Sequence, residues 1–119
     1  MNSKKGLILI AHGSREASTH MEMNALVDQL SSKKENVLVA GAYMEIQSPD
    51  LKEVVSNLVE EGITVIDVMP LFIFKGRHMK KDIPAQIEEC REFFADCKIN
   101  LLPHLAISDK FADMIAESV

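Results

Sequence analysis

The stretch Gly6-Leu7-Ile8-Leu9-Ile10-Ala11-His12-Gly13-Ser14-Arg15 decides the fold. Its apolarity is continuous rather than alternating, as expected of a strand buried on both faces in a parallel sheet. It stops abruptly at a histidine, a glycine and a cation. A second run, Val65-Ile66-Asp67-Val68-Met69-Pro70-Leu71-Phe72, breaks off in the same way, and Lys75-Gly76-Arg77-His78 follows it. In an α/β protein the loops after the carboxyl ends of the strands line the ligand crevice. Two imidazoles delivered to that edge, each flanked by positive charge, point to a site that handles a metal or a proton beside an anionic ligand.

Working outward, strand and helix patterns alternate. Residues 6–11 read as a strand and 16–33 as a helix, with Met23, Leu26, Val27 and Leu30 on one face. Val37 to Tyr43 is the second strand. Ser48 then reads as a helix N-cap with Pro49 at the first helical position. Leu51, Val54, Val55, Leu58 and Val59 supply that helix's apolar face, and Gly62 its C-terminal cap. A strand over 63–69 leads to a loop region from Lys75 to Asp82. Asp82 reads as a cap for a helix running to about Ala95. Ile99 to Leu102 is the fourth strand, and Ser108 caps a last helix whose Phe111, Met114 and Ile115 are expected to pack inward. The order βαβαβαβα implies an α/β fold, a four-stranded parallel sheet with helices on both faces and right-handed crossovers. The economical strand order is 2-1-3-4, which sets the His12 and His78 loops side by side.

The 119 residues suit a single domain, 1–119, able to bury a core without staples. No apolar run is long enough to span a membrane, and the amino terminus lacks the apolar core and cleavage site of a signal peptide. Cys90 and Cys97 are too few for a disulfide framework or a four-ligand zinc site, which points to a reducing cytoplasm and two partly buried thiols. A net charge of −5 argues against general nucleic-acid binding, and makes a local basic cluster more informative. Such a cluster stands at Lys75, Arg77, Lys80 and Lys81, and Arg15 adds a fifth cation near the same edge. It suits a small ligand with several carboxylates or phosphates, and Gly13 and Gly76 permit close backbone approach. Alone, a basic run reads as a solvated loop; beside a second His-Gly-Ser-Arg loop it reads as a site.

His12 and His78 suit either metal ligation or proton acceptance near neutral pH. Glu45, at the end of the second strand, stands where it orients an imidazole or accepts a proton, although an exposed charge before a loop is equally compatible. His104 reads as structural and His20 as a surface residue. Phe72, Ile73 and Phe74 suit a core role more readily than a ligand-facing one.

Ala-His-Gly-Ser-Arg near the amino terminus, Tyr43-Met44-Glu45-Ile46, and Pro70-Leu71-Phe72 through Lys75-Gly76-Arg77-His78 to Asp82-Ile83-Pro84 together resemble the short sirohydrochlorin cobaltochelatases. These are class II tetrapyrrole chelatases. The resemblance implies a flavodoxin-like chelatase fold and ATP-independent insertion of a divalent metal into sirohydrochlorin, in cobalamin or related tetrapyrrole biosynthesis. Cobalt, nickel or iron in the divalent state is then a substrate, with no tightly bound cofactor and no iron–sulfur cluster. It implies that His12 and His78 hold the incoming metal and help remove the pyrrole protons, with Glu45 at an acidic position. Gly13, Ser14, Arg15, Lys75, Gly76, Arg77 and Lys80 then meet the polycarboxylate rim. It also implies a homodimer that builds the cleft between two copies. The chain departs from the family pattern at His104-Leu105-Ala106-Ile107, where a Leu-Gly pair is common.

Two other classes compete. A histidine phosphatase needs an arginine directly before its histidine, and Ala11 stands there. A non-catalytic tetrapyrrole or metal carrier uses the same groups without turnover. A response regulator would place aspartates, not histidines, at these strand ends.

Overall fold

The computed structural model describes residues 4–119, except the side chain of His78. The reading of the amino terminus falls partly on residues 1–3, outside the described residues. The elements are β1 (Lys5–Ala11), α1 (Ala17–Lys33), β2 (Val37–Tyr43), α2 (Leu51–Glu60), β3 (Val65–Pro70), a π-helical turn (His78–Asp82), α3 (Ile83–Phe93), β4 (Lys98–Leu101), a 3-10 turn (Leu105–Ile107) and α4 (Asp109–Glu117). The four strands are parallel in the order β2-β1-β3-β4. This is the doubly wound arrangement the alternating pattern called for.

Ile8, Leu9 and Ile10 are essentially excluded from water, as the continuous apolar run required. The pleat divides them. Ile8 and Ile10 join Ile66, Val68 and Ile99 beneath α2 and α3, whereas Leu9 packs with Met23 of α1 and Tyr43 on the opposite face. Among the described residues no helix is long and apolar enough to cross a membrane.

The polar stitch across the sheet is local. Lys5 Nζ lies 2.6 Å from Asp67 Oδ2, and the Asn100 side-chain amide donates to Asp67 Oδ1 at 3.0 Å. Burial alone would raise the Asp67 carboxyl. The Lys5 ammonium and the Asn100 amide outweigh it and hold the group below its ordinary value.

Several boundaries differ from the sequence reading. α2 is capped not by Ser48 and Pro49 but by Asp50, in a reciprocal capping box with Glu53. Such a box satisfies two orphan amides at the helix start. The C-terminal end matches expectation. Gly62 has φ +89°, its amide donates to the Val59 carbonyl, and the Ile63 amide donates to the Leu58 carbonyl. That is a Schellman motif, for which glycine is suited because the left-handed region costs it nothing. The Lys75–Asp82 segment is helical from His78 onward, in a π-turn running directly into α3. Asp82 accordingly has helical backbone and makes no side-chain cap bond, because helix already precedes it. Ser108 does cap α4, accepting from the Lys110 amide at 3.2 Å. However, no residue of α4 is buried. Met114 and Ile115 are exposed, against the inward packing expected of them, whereas Phe111 is half-buried beside Met69 and Leu102.

Candidate functional site

β1 and β2 stop at the level of Ala11 and Tyr43, which are register partners, but their ladder continues past the strand ends. The Met44 amide donates to the Ala11 carbonyl at 2.7 Å, and the Glu45 amide to the His12 carbonyl at 3.1 Å. The two loops are therefore held together by backbone bonds. Gly13 permits this approach. Its φ is +106°, and a Cβ there would stand 1.9 Å from the Glu45 carbonyl oxygen, far inside van der Waals contact. The Gly-Ser step after His12 is thus explained first by the neighbouring loop, and only then by any ligand.

His12 Nε2 lies 2.8 Å from Glu45 Oε1, with both side chains open to solvent on one side (40% and 54% exposed). On the other side of the ring, Nδ1 faces the Gly13 carbonyl at 3.1 Å. With the ring nitrogens so placed, imidazole and carboxylate meet at a solvent-facing edge, where they can exchange a proton or face a cation.

The Glu45 loop is held in an unusual shape. The Gln47 amide donates to the Glu45 carbonyl at 2.8 Å, closing a three-residue γ-turn about Ile46, whose φ is +72°. For a β-branched residue this is a costly conformation. Gln47 in turn accepts the Ser14 amide at 2.7 Å, and Gln86 of α3 donates to the Met44 carbonyl at 3.2 Å. Backbone strain of this kind persists where surrounding bonds fix it, and functional sites are where it concentrates.

Behind the pair, the Tyr43 hydroxyl meets His20 Nδ1 at 3.2 Å, with the rings edge-on at 5.0 Å between centroids. His20 is therefore not the surface residue expected. It is half-buried and ties α1 to the end of β2. Burial raises the Tyr43 hydroxyl, keeping it protonated.

Ser14 accepts the Glu16 amide at 3.0 Å and so shapes the entry to α1, while Arg15 is exposed beside it. Beyond β3, Lys75 and Lys80 line an open hollow of about 560 Å³ with Met79, Leu102, Pro103 and His104. His104 thus stands beside these cations. Gly76 and Arg77 are exposed on the same segment. Phe74 is 76% exposed and Ile73 47%, against the core role expected of them, because both lie beyond the end of β3 at Pro70. Phe72 keeps contact with the core.

The backbone of His78 begins the π-turn after β3, and β3 neighbours β1. The assignment of His78 as a metal-holding and catalytic group falls on a side chain outside the described residues. Among the described residues no group of three or more His, Cys, Asp or Glu side chains gathers. Cys90 and Cys97 are free and buried. Burial, with Glu89 nearby, pushes the Cys90 thiol up to about 11, and burial likewise raises Cys97. Both stay as thiols at neutral pH and are poor ligands or nucleophiles.

The structure thus places an imidazole–carboxylate contact and a run of exposed cations after the carboxyl ends of the strands of a doubly wound sheet. The CbiX family profile matches residues 6–119, and the chain belongs to that family. It is 30% identical over 112 residues to the sirohydrochlorin cobaltochelatase of Sulfolobus acidocaldarius, covering 94% of this chain and 87% of that protein. It is 32% identical over 84 residues to the sirohydrochlorin cobaltochelatase of Methanosarcina acetivorans, 71% of this chain and 65% of the relative. The chloroplastic sirohydrochlorin ferrochelatase of Arabidopsis thaliana is 26% identical over 96% of this chain, which spans 51% of that protein's length. Among solved structures, a CbiX protein from Marinobacter aquaeolei superposes with a TM-score of 0.84 at 31% identity, over 96% of this chain and 92% of its own. SirB from Bacillus subtilis in complex with cobalt gives 0.85 at 22% identity, over 96% of this chain and 49% of its own, a likeness of fold.

Proposed function

We propose that this chain inserts a divalent metal into sirohydrochlorin without ATP, with cobalt as the metal and nickel and iron as the competitors to test. The observation that carries the reading is the His12–Glu45 contact at 2.8 Å. It supplies, at one solvent-facing point, a nitrogen donor for the cation and a carboxylate for the proton the cation displaces. Insertion demands both, because the ion must shed water and the macrocycle must lose its pyrrole protons. His78 is the second nitrogen donor in this reading. Lys75, Lys80, Arg77 and Arg15 hold the peripheral carboxylates, and Ser14 and Gly13 shape the loop that presents His12. In this reading the chemistry runs in the cytoplasm and two copies of the chain form the cleft. Relatives bearing both cobaltochelatase and ferrochelatase names support the substrate and leave the metal to experiment.

The test is metal-dependent loss of the free-base absorption of sirohydrochlorin, compared with uncatalysed insertion, for divalent cobalt, nickel and iron. Multiple turnovers are expected, and His12→Ala should lose them by a factor on the order of 100 or more. Because a metal and a proton compete for the same ring nitrogen, the rate should fall as the solution is made more acidic. Stoichiometric binding without turnover would make the chain a carrier. Full activity in His12→Ala would remove the mechanism.

A further inference from the structure

His104 reads as structural from the sequence, but its setting is that of a ligand contact. It is half-buried on the loop after β4 and lines two hollows at once. One is the space of about 560 Å³ that it shares with Lys75 and Lys80. The other, of about 420 Å³, runs from Met69 to Phe111 with Lys110 in its wall. Leu102, Pro103 and Ile107 also border both, so the hollows adjoin along one apolar floor. Among the described residues, Lys75, Lys80 and Lys110 line them and no carboxylate does. In a chain of net charge −5, that separation of charge makes a surface suited to an anion.

Polar side chains withdrawn from water are as a rule hydrogen-bonded. Among the described residues no hydrogen bond or ion pair engages the His104 ring, and its nitrogens are not sealed from water. The backbone that carries the ring is nevertheless pinned on both sides. The Leu102 amide donates to the Val68 carbonyl, the Leu105 amide to the Phe72 carbonyl and the Ala106 amide to the Ile73 carbonyl, each at 2.9 Å. Pro103 removes a further degree of freedom. Lysines reach a ligand on long flexible stems and act as point charges. His104 is the short, stiff donor of the same rim, so its ring N–H fixes where an anionic group sits, whereas the lysines mainly attract it. The apolar floor selects the rest of the ligand, a flat hydrocarbon body rather than a phosphate or a sugar.

We propose that His104 is a specificity-determining contact, donating from its ring to a carboxylate at the edge of a planar apolar macrocycle that lies across the β4 loop. The proposal rests on the reading that this edge receives a polycarboxylate tetrapyrrole, and it names the side chain that recognises the carboxylate. The probe is metal-free uroporphyrin, a planar octacarboxylate, titrated into the full chain and followed by its own fluorescence. His104→Ala should weaken its binding on the order of 10-fold. A dicarboxylate porphyrin, whose groups the lysines can satisfy, should lose less than about threefold. His104→Gln keeps a side-chain N–H and should recover most of the loss. With sirohydrochlorin and metal, His104→Ala should raise KM and leave kcat unchanged. Nuclear magnetic resonance of the unaltered chain covers the case in which His104→Ala misfolds. The His104 ring resonances, assigned by their absence in His104→Gln, should shift on adding uroporphyrin and saturate with the same dissociation constant. Unchanged uroporphyrin binding in His104→Ala, equal losses for the two porphyrins, no recovery in His104→Gln, or unmoved ring resonances would each overturn the proposal. Probe binding is read without metal. An absence of insertion therefore sinks the chelatase reading alone, and insertion with binding indifferent to His104 sinks this proposal alone.

Discussion

Gly13→Ala puts the site geometry under the most direct strain. The added methyl would stand 1.9 Å from the Glu45 carbonyl oxygen, a backbone atom that cannot swing aside. Restoring ordinary contact needs a separation above about 3.4 Å, so the two loops must part by more than an ångström. Parting them breaks the hydrogen bond from the Glu45 amide to the His12 carbonyl and opens the 2.8 Å contact between the side chains. Alanine at φ +106° adds conformational strain of about 1–3 kcal/mol. Together with the lost backbone bond, at about 1 kcal/mol, the expected destabilisation is about 2–4 kcal/mol. Misplacement by an ångström costs about 100-fold in a positioned reaction, so insertion should fall by that order even where the protein remains folded. Urea titration reads the first quantity and initial insertion rates at low temperature read the second. Gly76→Ala is the matched comparison. Nothing lies within 4 Å of its hypothetical Cβ, so stability should change by no more than about 0.5 kcal/mol. A Gly13→Ala protein with native stability and an insertion rate within about threefold of the parent would refute the reasoning.

The Ile46 γ-turn predicts an inversion of the usual rule. Ile46→Gly removes a strained, 59% exposed side chain and should leave stability unchanged or raise it by up to about 1 kcal/mol, read by thermal unfolding. A loss above about 1 kcal/mol would show the turn to be unstrained. Asp67 sets an acid limit on the fold. Its folded carboxyl is held below the ordinary value by Lys5 and Asn100 against the effect of burial, so its contribution is complete above the unfolded value near 3.9 and is lost as pH falls through the lower folded one. Asp67→Asn should therefore destabilise by about 1 kcal/mol at neutral pH and flatten that part of the acid limb; an unchanged limb would contradict the assignment. In the hollow beside His104, Lys75→Gln with Lys80→Gln should raise KM for the polycarboxylate several-fold with little change in kcat, and reduce the salt dependence of KM. A loss confined to kcat would place these lysines elsewhere in the reaction.

The sheet was legible because burial on both faces leaves its own mark. Residues 7–10 are apolar without alternation, and the strand order follows from few economical topologies. The ends of elements were harder. Ser48-Pro49 and Asp50-Leu51 both carry start signals, and the capping box with Glu53 settles the competition at Asp50 because it satisfies two amides rather than one. In the same way, nothing local in Arg77-His78-Met79-Lys80 distinguishes a solvated loop from a π-turn. That turn is held by Met79, which is buried with Ile83 in the core. The pattern of α4 was read correctly as amphipathic, but of its expected inward residues only Phe111 is half-buried, while Met114 and Ile115 are exposed. Periodicity marks an apolar face without saying whether the rest of the chain covers it. The His20–Tyr43 bond joins residues 23 apart in sequence, a contact created only by packing α1 on β2, with no local signal.

What the chain adds to the fold is concentrated where the ladder overruns the strands. Any doubly wound sheet brings its central loops to one edge, so topology alone explains why the β1 and β2 loops neighbour each other. It does not explain why an imidazole and a carboxylate touch. That requires the backbone of 11–13 to run against that of 44–45, which only a residue without a Cβ permits at position 13, and it requires Glu45 to be turned by a γ-turn that Ile46 adopts at a cost. The bonds from the Ser14 amide to the Gln47 side chain and from the Gln86 side chain to the Met44 carbonyl hold that turn from both sides. The contact between Nε2 and Oε1 is therefore positioned by backbone, not by flexible side chains searching for partners, and the loops that present the two groups are held whatever the site binds.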